Sequence, residues 1–220
     1  YHGWHDWYLS ANIKDKKNLD KQLLSGLSHV GVPKELANTS IPFIDGDLET
    51  LERTLKKNDI AAIKMEVMRS KEPSIEYLTE IRKLADRHNC LLIFDECTSG
   101  FRETFGGLHL KYGVSPDICI VGKTLGNGYA ITAVLGTKEV MDASQSSFIS
   151  STFFTERIGF VAGLATLDVM ERVRSWEKIT SIGKDFKTRI DSIFKKYDIP
   201  IQISGMDALV AFNVPHEQTL

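Results

Sequence analysis

Cys90-Leu91-Leu92-Ile93-Phe94-Asp95-Glu96 and Ile118-Cys119-Ile120-Val121-Gly122-Lys123 are the two stretches whose reading decides the fold. Both are short, apolar, rich in β-branched and aromatic residues, and closed by polar or glycine positions. That is the pattern of parallel strands covered on both faces. They set an acid, Asp95, and an amine, Lys123, at the ends of two buried strands, 28 positions apart in the chain. Ligands of such sheets gather beyond the carboxyl ends of the strands.

A carboxylate and a lysine presented together at that edge suit a pyridoxal phosphate site. The lysine carries the cofactor as a Schiff base, and the acid holds the pyridine nitrogen protonated. A nucleotide hydrolase also ends an apolar strand in Asp-Glu to hold magnesium, and Gly122-Lys123-Thr124 looks like the tail of a phosphate loop. That motif requires glycine at position 117, where the chain has Asp117, and its order relative to the acidic strand is reversed. Taken singly, Asp95 reads as a cap and Lys123 as a surface amine; their joint placement weakens that reading.

Outward from these strands the chain alternates strand and helix. Asp47 to Lys57 reads as a short helix, with Asp47 as N-cap and Leu48, Leu51 and Leu55 on one face. A strand follows at 60–65. A helix over 74–88 is capped by Ser74, turns Ile75, Leu78, Ile81 and Ala85 to the sheet, and ends at Asn89. The next strand, 90–94, leads into Asp95. Strands at 118–121 and 131–135 complete a mostly parallel or mixed α/β sheet. Residues 1–18 read as a polar and aromatic loop, with Trp4 and Trp7 as surface aromatics. Residues 19–40 read as irregular, broken by Gly26, Gly31 and Pro33. Beyond 150 come an amphipathic helix over 156–173, a second helix over 175–196, and strands at 199–203 and 208–214 turned by Gly205. The expected division is a large domain over 1–165 and the beginning of a small α+β lobe over 166–220.

Composition narrows the function classes. With 220 residues, 42% hydrophobic and 25% charged, the chain is an ordinary globular protein, large enough to bury a core. A net charge of -2 with dispersed basic residues gives no footprint for nucleic acid. No run approaches the roughly eighteen apolar residues of a membrane span, and the start lacks the form of a signal peptide. Three cysteines, an odd number, argue for reduced thiols and a cytoplasmic setting, with Cys90 and Cys119 as core residues. The first residue is Tyr1 and the last run is Gln218-Thr219-Leu220, so the chain reads as part of a longer protein.

Several separated segments, in order, resemble the class III (subgroup II) aminotransferases of fold type I, especially the branch that includes glutamate-1-semialdehyde aminomutase. Tyr1-His2-Gly3 looks like the aromatic-His-Gly turn whose ring stacks on the cofactor. Ile93 to Arg102 is similar to the D-E-V-x-[TS]-G-F segment, which implies Asp95 as the pyridine nitrogen partner; Cys97 stands where valine usually packs under the ring. Asp117 to Tyr129 looks like the Schiff-base segment, with Lys123 as the attachment site and Ala130 in place of the usual proline. Ser150-Ser151-Thr152-Phe153 resembles the segment whose Thr152 hydroxyl binds the cofactor phosphate of the neighbouring subunit, against a competing reading of Thr152 as an ST-turn or helix cap. Met65-Glu66-Val67 sits where the family has Glu-Pro-Val, so Glu66 is expected to face the site.

The resemblance implies a pyridoxal phosphate enzyme that moves an amino group through aldimine and ketimine half-reactions between a small-molecule amino donor and a carbonyl acceptor. It also implies a homodimer with shared active sites, and that the phosphate-cradling turn and substrate-carboxylate contacts lie outside this chain. Two alternatives stand beside it: a glutamate-1-semialdehyde 2,1-aminomutase, and a non-catalytic binding module on the same fold. Both Asp95 and Lys123 speak against the latter, because neither is needed to fold.

Overall fold

The computed structural model describes residues 3–22, 24–69 and 71–214. By internal packing they form two compact units, one up to Ile60 and one from Ala61 onward. Tyr1 and His2 lie outside the described residues.

In the first unit the expected loop over 1–18 is instead a short helix, α1 (His5–Leu9), running into a 3-10 turn over Ser10–Asn12. The periodicity is too brief to announce it. Side-chain bonds to backbone order the segment: the Tyr8 hydroxyl donates to Leu24 O at 3.0 Å, and the buried Asn12 Oδ1 accepts from Leu19 N at 3.1 Å. Tyr8, Ala11 and Leu19 form the small core there, and Trp4 and Trp7 are exposed as expected. The helix α2 (Leu48–Lys57) has its N-cap at Asp47, whose Oδ1 accepts from Thr50 N at 2.9 Å; Leu51 and Leu55 are its buried stripe.

The second unit is built on a four-stranded sheet in the order β1 (Ala62–Met65), β2 (Leu91–Glu96), β3 (Ile118–Val121), β4 (Ala133–Gly136). The first three are parallel and β4 is antiparallel. Strand β2 runs two residues further than expected, so Asp95 and Glu96 belong to the ladder and Asp95 pairs in register with Ile120. Alternation is strict: Ile63, Met65, Leu92, Phe94, Glu96, Cys119 and Val121 are buried, whereas Ala62, Lys64, Ile93, Asp95, Ile118 and Ile120 are half-buried. The expectation of strands covered on both faces thus holds for one face only among the described residues. An unbroken apolar run does not itself reveal how completely each face is covered.

Helix α3 (Ile75–Arg87) is capped by Ser74, which accepts from Tyr77 N at 3.1 Å. Leu78, Ile81, Leu84 and Ala85 are buried, but Ile75 is 54% exposed, because the apolar stripe extends one turn beyond the packed part of the helix. Its end is a Schellman motif: Asn89 takes a φ of 52°, Asn89 N reaches Asp86 O at 3.2 Å, and Cys90 N reaches Ala85 O at 3.0 Å. This closure turns the chain directly into β2. At the start of β3, Asp117 Oδ2 accepts from Leu92 N and from Arg82 Nη1, both at 2.7 Å, which ties α3, β2 and β3 into one register.

After β4 comes α4 (Lys138–Ser144), which carries no strong apolar stripe and was not anticipated. Helix α5 (Ile158–Val173) matches expectation in extent. Its buried positions are Gly159, Gly163 and Met170, while Ile158, Val161, Leu164 and Val169 are exposed. The glycines let the helix lie close to the chain before β4: a Cβ on Gly159 would meet Ala130 O at 3.0 Å. Arg174, at φ 50°, breaks α5 from α6 (Ser175–Lys196). The antiparallel pair β5 (Gln202–Ser204) and β6 (Ala211–Asn213) follows, shorter than expected at both strands, with Gly205 at φ 80° between them. Lys187 of α6 holds this pair through Gly205 O at 2.8 Å and Asp207 Oδ1 at 3.0 Å.

Candidate active site

The parallel strands β1, β2 and β3 present their carboxyl ends on one edge of the sheet, and the chain leaving β2 meets the chain leaving β3 there. Lys123 follows Val121 and Gly122. It has a positive φ of 44°, uncommon for a residue with a side chain, and opens a 3-10 turn over Lys123–Leu125. Its Nζ donates to the Thr98 hydroxyl at 2.7 Å. Thr98 is held in turn by Arg102, whose Nε donates to the Thr98 carbonyl at 2.5 Å. Gly122 lies against Cys97 and Thr132: an added Cβ would stand 3.0 Å from Thr132 Cγ2 and 3.4 Å from Cys97 Sγ. The glycine therefore permits close approach between the two strand exits. Gly126 has a different reason to be glycine, because a Cβ there would run into the Tyr129 carbonyl oxygen.

Asp95 shares the half-buried face of β2. Its Oδ2 accepts from Lys64 Nζ of β1 at 2.7 Å, and its Oδ1 accepts from Cys97 N at 3.2 Å. Burial pushes its carboxyl up, but the Lys64 ammonium and the Cys97 bonds outweigh that and leave it below the usual aspartate value. The Cys97 thiol is pushed up, first by burial and then by the negative charge of Asp95. It is therefore a packed thiol and not a reactive thiolate.

One residue earlier in significance than in expectation is Glu96. Its side chain is fully buried and takes four donors: Ser99 Oγ at 2.9 Å, the backbone N–H of Leu108, His109 N at 3.1 Å, and His109 Nδ1 at 2.6 Å. It thereby pins the loop from Ser99 to His109 beneath the strand exit. The sequence signal was available, since an acid inside an apolar strand must be paired or bonded. Lys64 carries the same signal on β1.

The structure thus gathers Asp95, Cys97 and Lys123 with Lys64 and Thr98. Glu66, just after β1, pairs with Arg69 at 3.2 Å and joins none of these bonds. Thr152 is exposed in a 3-10 turn over Thr152–Thr155, and the cap of that turn is Ser151, which accepts from Phe153 N at 3.1 Å. The cap reading for Thr152 itself is corrected accordingly. Gly3 belongs to the first unit, with a φ of 81°.

The residues present fit pyridoxal phosphate. Lys123 offers an amine bonded to a neutral hydroxyl, and among the described residues no carboxylate pairs with it. Asp95 offers a carboxylate that stays ionised although half-buried. Both stand where a strand-end ligand is received.

Such a fold and donor set define an α/β transferase of the pyridoxal phosphate fold type I class. The class-III aminotransferase family profile matches residues 1–220, and the chain belongs to this pyridoxal phosphate-dependent family. The 3-aminobutyryl-CoA aminotransferase of Cloacimonas acidaminovorans (strain Evry) is 33% identical over 214 residues, 93% of this chain and 48% of that protein. The glutamate-1-semialdehyde 2,1-aminomutase of Methanothrix thermoacetophila (strain DSM 6194 / JCM 14653 / NBRC 101360 / PT) is 31% identical over 216 residues, 95% and 49% of the two chains. Among solved structures, the Sphingopyxis sp. MTA144 FumI protein in its PLP internal aldimine form aligns with a TM-score of 0.73 at 22% identity, covering 78% of this chain and 43% of that one. At that identity the likeness speaks for the fold. The chain spans about half the length of the curated relatives it matches.

Proposed function

We propose that the protein moves an amino group between a small-molecule donor and a carbonyl acceptor, with Lys123 as the residue that binds pyridoxal phosphate and Asp95 as the partner of its ring nitrogen. The observation that carries this reading is the joining of the two strand exits: Lys123 Nζ bonds Thr98, three residues beyond Asp95, whose own carboxylate accepts from Cys97 N at the same exit. When bound, the cofactor supplies an electron sink for the carbanion left at the substrate carbon. The chain's own residues do the rest. Asp95, ionised and half-buried, holds a proton at the ring nitrogen. Lys123, freed once a substrate amine replaces it, takes and returns the proton at the substrate carbon, and the Thr98 hydroxyl is where its free Nζ is held. Cys97 packs against Gly122 and contributes bulk to the floor of the site.

Tyr1, His2 and Gly3 are assigned to covering the ring, Glu66 to the rim after β1, and Thr152 to the phosphate of a neighbouring subunit. The homodimer this requires would cover some of the exposed apolar residues over 148–164, among them Phe148, Phe153, Phe154 and Phe160. The large domain is taken as residues 1–165 and the small one as beginning at 166, in a protein of the cytoplasm.

A second reading is an aminomutase that moves the amino group within one molecule. The 31% identity to such an enzyme over 95% of this chain favours keeping it. Absorbance spectra of the intact protein, recorded while donor amines and then glutamate semialdehyde alone are added, decide between them. A transaminase loses the cofactor's bound-aldehyde band with a donor and regains it with a separate acceptor. An aminomutase turns over semialdehyde alone to 5-aminolevulinate. A protein whose spectrum answers no amine contradicts both.

A further inference from the structure

Lys64 is an unusual residue for its place. It lies on β1, a strand otherwise made of Ala62, Ile63 and Met65, and lysine is depleted in strands and costly to bury without a partner. An apolar side chain would pack equally well on a face shared with Ala62, Ile93, Ile118 and Ile120. Buried ion pairs are also poor sources of stability compared with apolar packing. The lysine therefore has some reason other than holding the sheet together, and among the described residues its bonded partner in that face is the carboxylate of Asp95, 2.7 Å away.

Register fixes the direction of approach. The Lys64 Cα is level with Ile93, two residues before Asp95 on the same face of the neighbouring strand, or roughly 7 Å nearer the amino end of the sheet. Its side chain must therefore climb toward the carboxyl edge to reach Oδ2. A ligand received beyond that edge comes from the opposite side. With Cys97 N on Oδ1 and Lys64 on Oδ2, both oxygens of Asp95 are anchored. A carboxylate has about four acceptor directions, so room remains for a further donor.

We propose that Lys64 is a positioning residue of the site, bracing Asp95 from behind so that the carboxylate stays oriented and charged toward the cofactor's ring nitrogen. This rests on the reading that Asp95 is the ring-nitrogen partner. The titratable groups that face Asp95 are Lys64 from β1 and Cys97 at the exit of its own strand; from β3 the residue level with it is Ile120, while the Cys119 thiol lies on the opposite, buried face and is pushed up to about 12, chiefly by burial. Lys64 is the one cation bonded to it among the described residues. Without Lys64, burial is left to dominate and the carboxyl takes up its proton at higher pH.

The test uses the full-length protein loaded with pyridoxal phosphate and acidified stepwise, with cofactor release followed by absorbance. In Lys64→Met and Lys64→Gln the release midpoint should rise by about one pH unit or more, and Lys64→Arg should return it toward wild type. A loss of packing alone would lower the melting temperature without moving that midpoint. An unmoved midpoint in the folded variants overturns the proposal. Asp95→Asn separates the two levels of inference. If that variant keeps normal turnover and spectrum, the ring-nitrogen reading itself fails. If it is impaired while the Lys64 variants release cofactor as wild type does, only the role of Lys64 falls.

Discussion

The ammonium of Lys123 rests on the hydroxyl of Thr98 at 2.7 Å, joining the turn after β3 to the turn after β2. That bond is what places the amine over the same strand edge as Asp95. A hydrogen bond to a charged group contributes about 1.5–3 kcal/mol. Thr98→Val should therefore slow covalent attachment of pyridoxal phosphate by roughly ten- to a hundredfold, while Thr98→Ser stays near wild type. Stopped-flow absorbance of cofactor binding measures this, and equal rates in all three proteins would remove Thr98 from the account.

Glu96 should matter to stability more than its position next to Asp95 suggests. Four donors converge on a fully buried carboxylate. Glu96→Gln turns an NH2 group toward at least one of those donors and leaves it unpaired, a loss of about 1–3 kcal/mol. The urea midpoint should fall accordingly. An unchanged midpoint would mean that the Ser99 to His109 loop is held by other means.

Gly183 in α6 sets two effects of opposite sign against each other. Alanine gains about 1 kcal/mol over glycine in a helix interior. Here a Cβ would overlap the Asp207 carbonyl oxygen, a backbone atom that cannot swing aside. Overpacking of that kind costs about 1–3 kcal/mol, so Gly183→Ala should lower the melting temperature. A rise would show that the turn before β6 gives way freely.

The acid limb of stability should carry the signature of Asp95. Its carboxyl is held below the usual 3.8, because Lys64 and Cys97 outweigh the upward push of burial. A depressed folded value stabilises the fold fully above the unfolded one, and the contribution is lost as the pH drops through the folded value. Urea midpoints taken from about pH 6 to below pH 4 should therefore fall more steeply in wild type than in Asp95→Asn. Parallel curves would show that Asp95 gains nothing from its partners.

What could be read in the sequence was what local periodicity and end chemistry encode. The caps at Asp47 and Ser74, the stop at Asn89 and the two apolar runs that become β2 and β3 all depend on residues near one another or on a repeated pattern. The errors have one physical source, which is that facing depends on what lies across the gap. The helical stripe of α3 turns Ile75 to the sheet, yet Ile75 is exposed; in the amphipathic α5, Ile158, Val161 and Leu164 are exposed, and the packed positions include Gly159 and Gly163. Lys64 and Glu96 were legible as charged residues inside apolar strands. Their partners, Asp95 and His109, become visible only once register and loop path are known.

The central claim, that Lys123 carries the cofactor, is tested most directly by loading the intact protein with pyridoxal phosphate, reducing it with borohydride and mapping the modified peptide by mass. The account predicts a pyridoxyl group on Lys123, with Lys64, the other amine of this strand edge, unmodified. An adduct on Lys64 or on any other lysine, with Lys123 free, would contradict it.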